Sequence, residues 1–308
     1  MTRVAIAQAE VQPTLDAGLA ATLRSIRDAR DAGASLVVFP ETWLPGYPVW
    51  LDVCRDAALW DHEPVKRVFR RMAEESVVVP GPVTETLGAA ARDAGVVLVV
   101  GVTERIDAGP SHGTLYNAVL TFDADGRLVN HHRKLVPTYT ERMVWGLGDA
   151  DGLTAVDTKV GRVGALVCWE HWMPLARQAM HDSGEDIHVA LWPTAHEMLQ
   201  VASRHYAFEG RCFVLAAGSL MRASALPPEL EPHASKVRSP SDWVLRGGSA
   251  IVGPDGRYVV EPCFDRPELI VSDIDLGRVR EERMTLDVSG HYHRSELLRL
   301  EIERSTRR

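Results

Sequence analysis

The chain has little cysteine, no run of lysine or arginine, no long apolar run and no low-complexity linker, and each absence excludes a class of protein. Its 4 cysteines, at 54, 168, 212 and 263, are too few and too scattered for a disulfide framework, and no two have the spacing of a zinc knuckle or a redox pair. They are expected as free thiols. The pairs His131/His132 and His291/His293 lack a further ligand at metal spacing, so no metal and no other cofactor is expected. With no basic run to reverse it, a formal net charge of -8 argues against nucleic acid or an anionic membrane surface as partner. A small, uncharged or weakly polar ligand suits the chain better. No apolar stretch is long enough to span a bilayer, and the opening "MTRVAIAQAE" lacks the apolar core of a cleaved signal, so the expected location is cytoplasmic. No Ser- or Pro-rich segment divides the sequence, and 308 residues at 45% hydrophobic and 25% charged suit a single globular domain over 1–308.

What is present reads as stacked αβ units. "RVAIAQAE" is a strand, followed by a helix over 15–32 with Leu19, Leu23 and Ile26 on one face and Gly33 as its stop. "LVVFPE" is then a continuous apolar strand of the kind covered on both faces, ended by Pro40. "RDAGASLVVFPE" at 30–41 is echoed by "RDAGVVLVVGVTE" at 92–104, each a helix end, a glycine stop and a buried strand running to a glutamate. A second echo joins "NAVLTFDADGRLV" at 117–129 to "GSAIVGPDGRYVV" at 248–260, two hairpins turning at Asp-Gly. Between them "VGRVGALVCWE" is a strand, 172–183 a helix with Trp172, Leu175, Ala176, Ala179 and Met180 on its buried face, and "IHVALWP" a strand. "ASRHYAFEGRCFVLAAGS" is helix into strand, whereas 221–246 is an irregular excursion. Such halves pack as two mixed sheets covered by helices, with polar residues gathered at strand ends.

Three strand ends carry chemistry-bearing side chains. Glu41, in "FPETWLPGYPVW", follows a buried strand and precedes Trp43, Tyr47 and Trp50, which implies an enclosed mouth. Glu104 is its rival, in surroundings that read as exposed. Lys134 ends the first hairpin beside His131, His132 and Arg133, which read as a surface cluster; alternation puts Arg133 and Lys134 on opposite faces, so one points inward, and Glu141 follows to hold it. Cys168 sits where the apolar "ALV" gives way to "CWEHWMP". Its ordinary role would be a small buried hydrophobe, unless a base and a cation accompany it.

Glu41, Lys134 and Cys168, in that order and each at a strand end, resemble the nitrilase superfamily. "FPETWLPGYP", "HRKLVPTYTERMVWGLGD" and "VCWEHWMPLAR" look like its glutamate, lysine and cysteine motifs, and the likeness continues in "GEDIHVALWP", "RHYAFEGRCFVLAAG", "GGSAIVGPDGR" and "LDVSGHYHR". The forms "RKLVPTYTERMVWG" and "CWEHWMP" look most like the nitrilase branch. The resemblance implies an α/β fold, a four-layer αββα sandwich of two mixed sheets with pseudo-twofold halves. It also implies Cys168 as nucleophile, Glu41 as general base and acid, Lys134 as stabiliser of the tetrahedral intermediate and Glu141 as accessory glutamate. The implied activity is hydrolysis of an organic nitrile by water to a carboxylic acid and ammonia, through a thioimidate and a thioester. An amidase or carbamoylase using the same three residues is the nearest alternative, and a non-catalytic binding module of the same fold a further one.

Tyr47, Trp60, Trp169, Trp172 and His196 are the expected substrate-binding residues, with Trp192 and His171 divided between pocket wall and core. A homodimer or larger homo-oligomer is expected, with 280–308 serving assembly, although the chain ends at Arg308, soon after the "GHY" at 290–292, where many nitrilases continue.

Overall fold

A computed structural model describes residues 1–304; residues 305–308 of the segment expected to serve assembly lie outside the described range. In the first half, β1 (Thr2–Gln8), α1 (Leu15–Asp31) and β2 (Leu36–Val38) are followed by α2 (Trp50–Val53), α3 (Glu63–Glu74) and α4 (Pro82–Ala94). Strand β3 (Val97–Arg105) and the hairpin β4 (Leu115–Phe122) and β5 (Leu128–Arg133) complete it. The second half runs β6 (Val156–Thr158), β7 (Gly161–Val167), α5 (Pro174–Asp182), β8 (Ile187–Trp192), α6 (Glu197–Gly210) and β9 (Phe213–Gly218). It closes with β10 (Leu220–Arg222), β11 (Trp243–Val252), β12 (Tyr258–Phe264), β13 (Glu268–Ile274) and α7 (Gly277–Arg283).

Local signals explain the boundaries. Thr14 caps α1 by accepting the Ala17 N–H at 3.3 Å, and α4 opens on Pro82 and ends at Gly95, whose φ of 67° is the left-handed conformation glycine adopts without a Cβ penalty. One sheet has the order β13-β1-β2-β3-β4-β5 and the other β10-β11-β9-β8-β7-β6, with β12 paired to β11. The internal echo is therefore a repeat of topology. β1, β2 and β3 are parallel and lead to the antiparallel pair β4 and β5; β7, β8 and β9 are parallel and pair antiparallel with β11, then β12.

Side-chain alternation divides the apolar strands between two cores. Val4, Ile6, Leu36, Val38, Val97 and Val99 meet the second sheet, while Ala5, Val37, Leu98 and Val100 pack outward in the cluster that includes Ile26, Leu87 and Ala91 from α1 and α4. α5 and α6 cover the outer face of the second sheet through Ala176, Met180, Leu199 and Tyr206. The four layers expected from the sequence result.

Two expectations need correction. The helix placed at 172–183 begins at Pro174, because proline favours the first helical position, and the preceding residues Cys168–Trp172 form a separate 3₁₀ turn. Trp172 thus leaves the helix, and Leu175 is 69% exposed while Ala176, Ala179 and Met180 are buried. The excursion 221–246 is irregular only in its middle, since β10 pairs antiparallel with the start of β11. Leu226, Leu230 and Leu245 from this segment pack with Val49, Trp50 and Val144 in a third cluster beside the strand ends.

Candidate active site

Each of the three motif residues leaves a strand into a tight loop. Glu41 follows β2, where the chain crosses Gly101 of β3 so closely that a Cβ there would collide with the Pro40 carbonyl and the Glu41 Cα. Lys134 follows β5 and is pinned through its backbone, its N–H donating to Asn117 O at 2.8 Å and its carbonyl accepting the Gly148 N–H at 2.9 Å. Cys168 follows β7 and opens the 3₁₀ turn. Thr42, Tyr139 and Cys168 have φ of 42°, 44° and 52°, a left-handed backbone that costs non-glycine residues about 1–3 kcal/mol and concentrates at functional sites.

The side chains converge. Lys134 Nζ donates to Glu41 Oε1 at 3.1 Å and to Glu141 Oε2 at 2.7 Å, and all three groups are buried. Ligand atoms of Glu41, Glu141 and Cys168 lie within 4.8 Å of one another. Glu41 Oε1 also accepts from Asn117 Nδ2 at 2.6 Å, whereas its buried Oε2 has no hydrogen-bond partner. Glu141 accepts the Tyr47 hydroxyl at 2.8 Å and the Thr138 N–H at 2.7 Å. Two carboxylates and a sulfur are donors a cation could use, but Lys134 already bonds both carboxylates and supplies the positive charge.

Burial decides the proton inventory. It pushes the Glu41 carboxyl up to about 7 against the pull of Lys134, placing a proton acceptor near neutrality. Burial also pushes the Cys168 thiol well above its usual range, reinforced by Glu41 and opposed by Lys134 and the Trp169 backbone N–H, so the resting sulfur carries its proton. For Lys134 burial favours the neutral amine, and the surrounding negative groups, Glu41 and Glu141 among them, outweigh it, keeping the side chain an ammonium above the ordinary lysine range.

A cavity of about 660 Å3 opens above this group, with Cys168 and Glu141 in its wall together with Tyr47, Trp169 and His196. Glu41 and Lys134 lie beneath that wall, fully enclosed. Trp172, also expected to bind substrate, lines a neighbouring depression with Trp169 and Tyr139 instead. Trp60, likewise expected there, is 94% exposed and outside the cavity, because the loop after α2 carries it into solvent. Trp192 is core, donating to Ser203 Oγ at 3.2 Å.

The polar residues around Lys134 are less exposed than the sequence implies. Glu104 is fully buried, bonded to Arg133 Nε and His131 Nε2 at 2.8 Å each, which takes it away from Glu41's role. His132, read as surface, is buried against Glu170 at 3.0 Å. Asn117 was not anticipated; its only signal is a single amide amid the apolar run "LYNAVLTF" of β4. Behind the turn that carries Cys168 lies a buried polar chain: His171 Nδ1 meets Cys168 O at 2.7 Å, so that nitrogen carries the proton. His171 Nε2 meets His188 Nε2 at 2.9 Å, His188 Nδ1 meets Glu185 Oε1 at 2.5 Å, and the Tyr206 hydroxyl donates to Glu185 Oε2 at 2.6 Å.

Comparison with known proteins identifies the family. The family model for carbon–nitrogen hydrolases matches residues 3–284. A nitrilase from Paraburkholderia phymatum is 40% identical over 90% of this chain and 79% of its own length. A bifunctional nitrilase/nitrile hydratase from Lupinus angustifolius is 37% identical over 91% of this chain and 79% of its own. Among solved structures, Saccharomyces cerevisiae Nit3, a member of branch 10 of the nitrilase superfamily, superposes with a TM-score of 0.70 at 20% identity, covering 94% of this chain and 96% of that one. A carbon–nitrogen hydrolase from Helicobacter pylori gives 0.67 at 18% identity, covering 97% and 99%. The chain belongs to the carbon–nitrogen hydrolase family, within the nitrilase superfamily, and is a carbon–nitrogen hydrolase.

Proposed function

We propose that the protein is a nitrilase that hydrolyses an organic nitrile to the carboxylic acid and ammonia, with Cys168 as nucleophile, Glu41 as general base and acid, and Lys134 and Glu141 as its charged frame. The observation that carries this reading is the buried group in which Cys168, Glu41 and Glu141 lie within 4.8 Å of one another and the Lys134 ammonium bonds both carboxylates, with Glu41 raised to about 7. Relatives named nitrilase, at 36–40% identity, support the nitrile as substrate class.

Glu41 takes the thiol proton as sulfur attacks the nitrile carbon, and the nitrogen is protonated to give a thioimidate. Water, deprotonated by Glu41, adds to the thioimidate carbon to form a tetrahedral intermediate stabilised by Lys134 and the Trp169 N–H, a type of contact worth roughly a hundredfold to a thousandfold in rate. Departure of ammonia leaves a thioester. A second water hydrolyses it, releasing the acid and returning the proton to Cys168. Expulsion of sulfur from the tetrahedral intermediate would instead release the amide, so the position of the proton on nitrogen or sulfur sets the product. Tyr47, Trp169 and His196 are the residues we assign to the substrate's distal part, and no cofactor enters any step.

The four free cysteines support a reducing, cytoplasmic setting. Exposed Leu175, Met198, Val201 and Phe208 on α5 and α6 support assembly into a homodimer or larger homo-oligomer. The activity is tested by ammonia release from a panel of aliphatic, arylaliphatic and aromatic nitriles and their matching amides, with products identified. Nitriles are expected to turn over faster than the amides; faster turnover of the amides overturns the nitrilase reading in favour of an amidase.

A further inference from the structure

Glu170 is fully buried, ionised and outside every step above. It sits two residues past Cys168 in the 3₁₀ turn, so its carboxylate reaches back over the end of β7 toward the other sheet. Oε2 accepts the Val167 N–H at 2.8 Å, and Oε1 accepts the Leu135 N–H at 2.8 Å. His132 Nε2 stands 3.0 Å from both oxygens. Val167 is the residue before Cys168, and Leu135 is the residue after Lys134. His132 is on β5, in the first sheet, whereas β7 is in the second. One carboxylate thus joins the backbone on either side of the reacting pair and ties together the two sheets that carry them.

Isolating a charge in the interior costs several kcal/mol, and here that cost is offset by two backbone N–H groups and an imidazole, all aimed at one residue. Burial raises a carboxyl's pKa, yet His132 and the two backbone donors hold Glu170 below the ordinary range, so the anion is the resting form. Hydrogen bonds to an ionised acceptor are short and directional, which suits it to fixing a distance. We propose that Glu170 is a positioning residue that sets the separation and orientation of the Lys134 ammonium and the Cys168 sulfur. This rests on the catalytic roles assigned to those two residues. Glutamate has the reach to bridge both amides; aspartate, one methylene shorter, keeps the charge and loses a contact.

The test compares Glu170→Asp and Glu170→Gln with wild type, measuring kcat and KM for the best nitrile per titrated active site. Sites are counted by intact mass as chains that carry a single label lost in Cys168→Ala, so unfolded chains, which expose all four thiols and take several labels, do not enter. Expected is a fall in kcat of about a hundredfold, the loss associated with a misplacement near 1 Å, with KM within about threefold. Retained charge in Glu170→Asp does not rescue it. A kcat per titrated site within about twofold of wild type in either variant, whatever the change in melting temperature, makes Glu170 merely structural and overturns the proposal. Lys134→Ala and Cys168→Ala run alongside: their inactivity beside active Glu170 variants overturns the positioning role alone. Turnover that survives Cys168→Ala overturns the catalytic assignment and the positioning role with it.

Discussion

At the scale of single residues, the site's chemistry depends on where burial leaves each proton. Above the Glu41 titration the carboxylate is ionised while the Cys168 thiol, pushed up by burial, keeps its proton, so Glu41 can accept it. Since burial raises Glu41 to about 7, kcat/KM is expected to rise with pH through that value, because below it the carboxyl is protonated and cannot accept from the thiol. The measurement is a pH profile of kcat/KM with the best nitrile. An acid limb near 4.5, the value of an unperturbed glutamate, would contradict the account. Asn117→Ala should move that limb upward, since the Asn117 amide hydrogen bond favours the Glu41 anion.

Sequence made this residue set legible by position. Glu41, Lys134 and Cys168 each stand at the end of a strand, and Glu141 follows Lys134 at a distance that one short turn closes. What it did not reveal were partners fixed by tertiary approach. Asn117 looks like any strand residue until β4 is seen beside β5, and Glu104 reads as exposed until Arg133 and His131 fold over it. Trp60 illustrates the opposite error, an aromatic assigned to a pocket that its loop carries away from it.

At the scale of elements, the turn that bears Cys168 is supported from behind by α5, α6 and β8. The buried chain from Cys168 O through His171 and His188 to Glu185 is unusually rich in titratable groups for a protein interior. Burial lowers His171 to about 3, and Glu185 is held at about 2 by His188 and His181 against the effect of its own burial. Both folded values lie below the unfolded ones, so each group contributes stability above its unfolded pKa that is lost as pH falls. His171 acts between roughly pH 6.5 and 3, and Glu185 between roughly 4.5 and 2. Between roughly pH 7 and 4.5 Glu41, raised to about 7, acts with the opposite sign, so in urea unfolding the His171 contribution of about 1.4 kcal/mol per pH unit below pH 6 is read as the difference in slope between wild type and a non-titrating variant, and a net loss sets in below pH 4.5 as Glu185 joins. His171→Asn, which does not titrate, should gain stability relative to wild type as pH falls from about 6.5 to 4.5. Equal slopes in variant and wild type would contradict the buried neutral imidazole. The helix boundary at Pro174 matters here too. A helix beginning at Trp172 would have absorbed the turn, whereas the proline start leaves Cys168–Trp172 free to adopt the left-handed bend at Cys168.

At the scale of the whole molecule, two topologically equivalent halves bring their strand ends together, so that Glu41 and Lys134 come from one sheet and Cys168 from the other. The repeat was visible in the sequence because its signals are local: a glycine stop, an apolar run and an Asp-Gly turn recur in the same order. Two mixed sheets covered by helices could be read from the halves, but the order of the four layers could not, because continuous apolar runs state that both faces of a strand are covered without stating by what. The resemblance to known motifs supplied that partner, and the strand topology agrees with it.

The proposed reaction turns on attack by the Cys168 sulfur on the nitrile carbon. Intact-protein mass measurement after rapid mixing with a turned-over nitrile and acid quench tests it most directly. The expected result is a covalent adduct whose added mass matches the thioimidate or the thioester, present in wild type, far slower to form in Glu41→Gln, and absent from Cys168→Ala together with turnover. Continued turnover in folded Cys168→Ala, or an adduct on another residue, would contradict it.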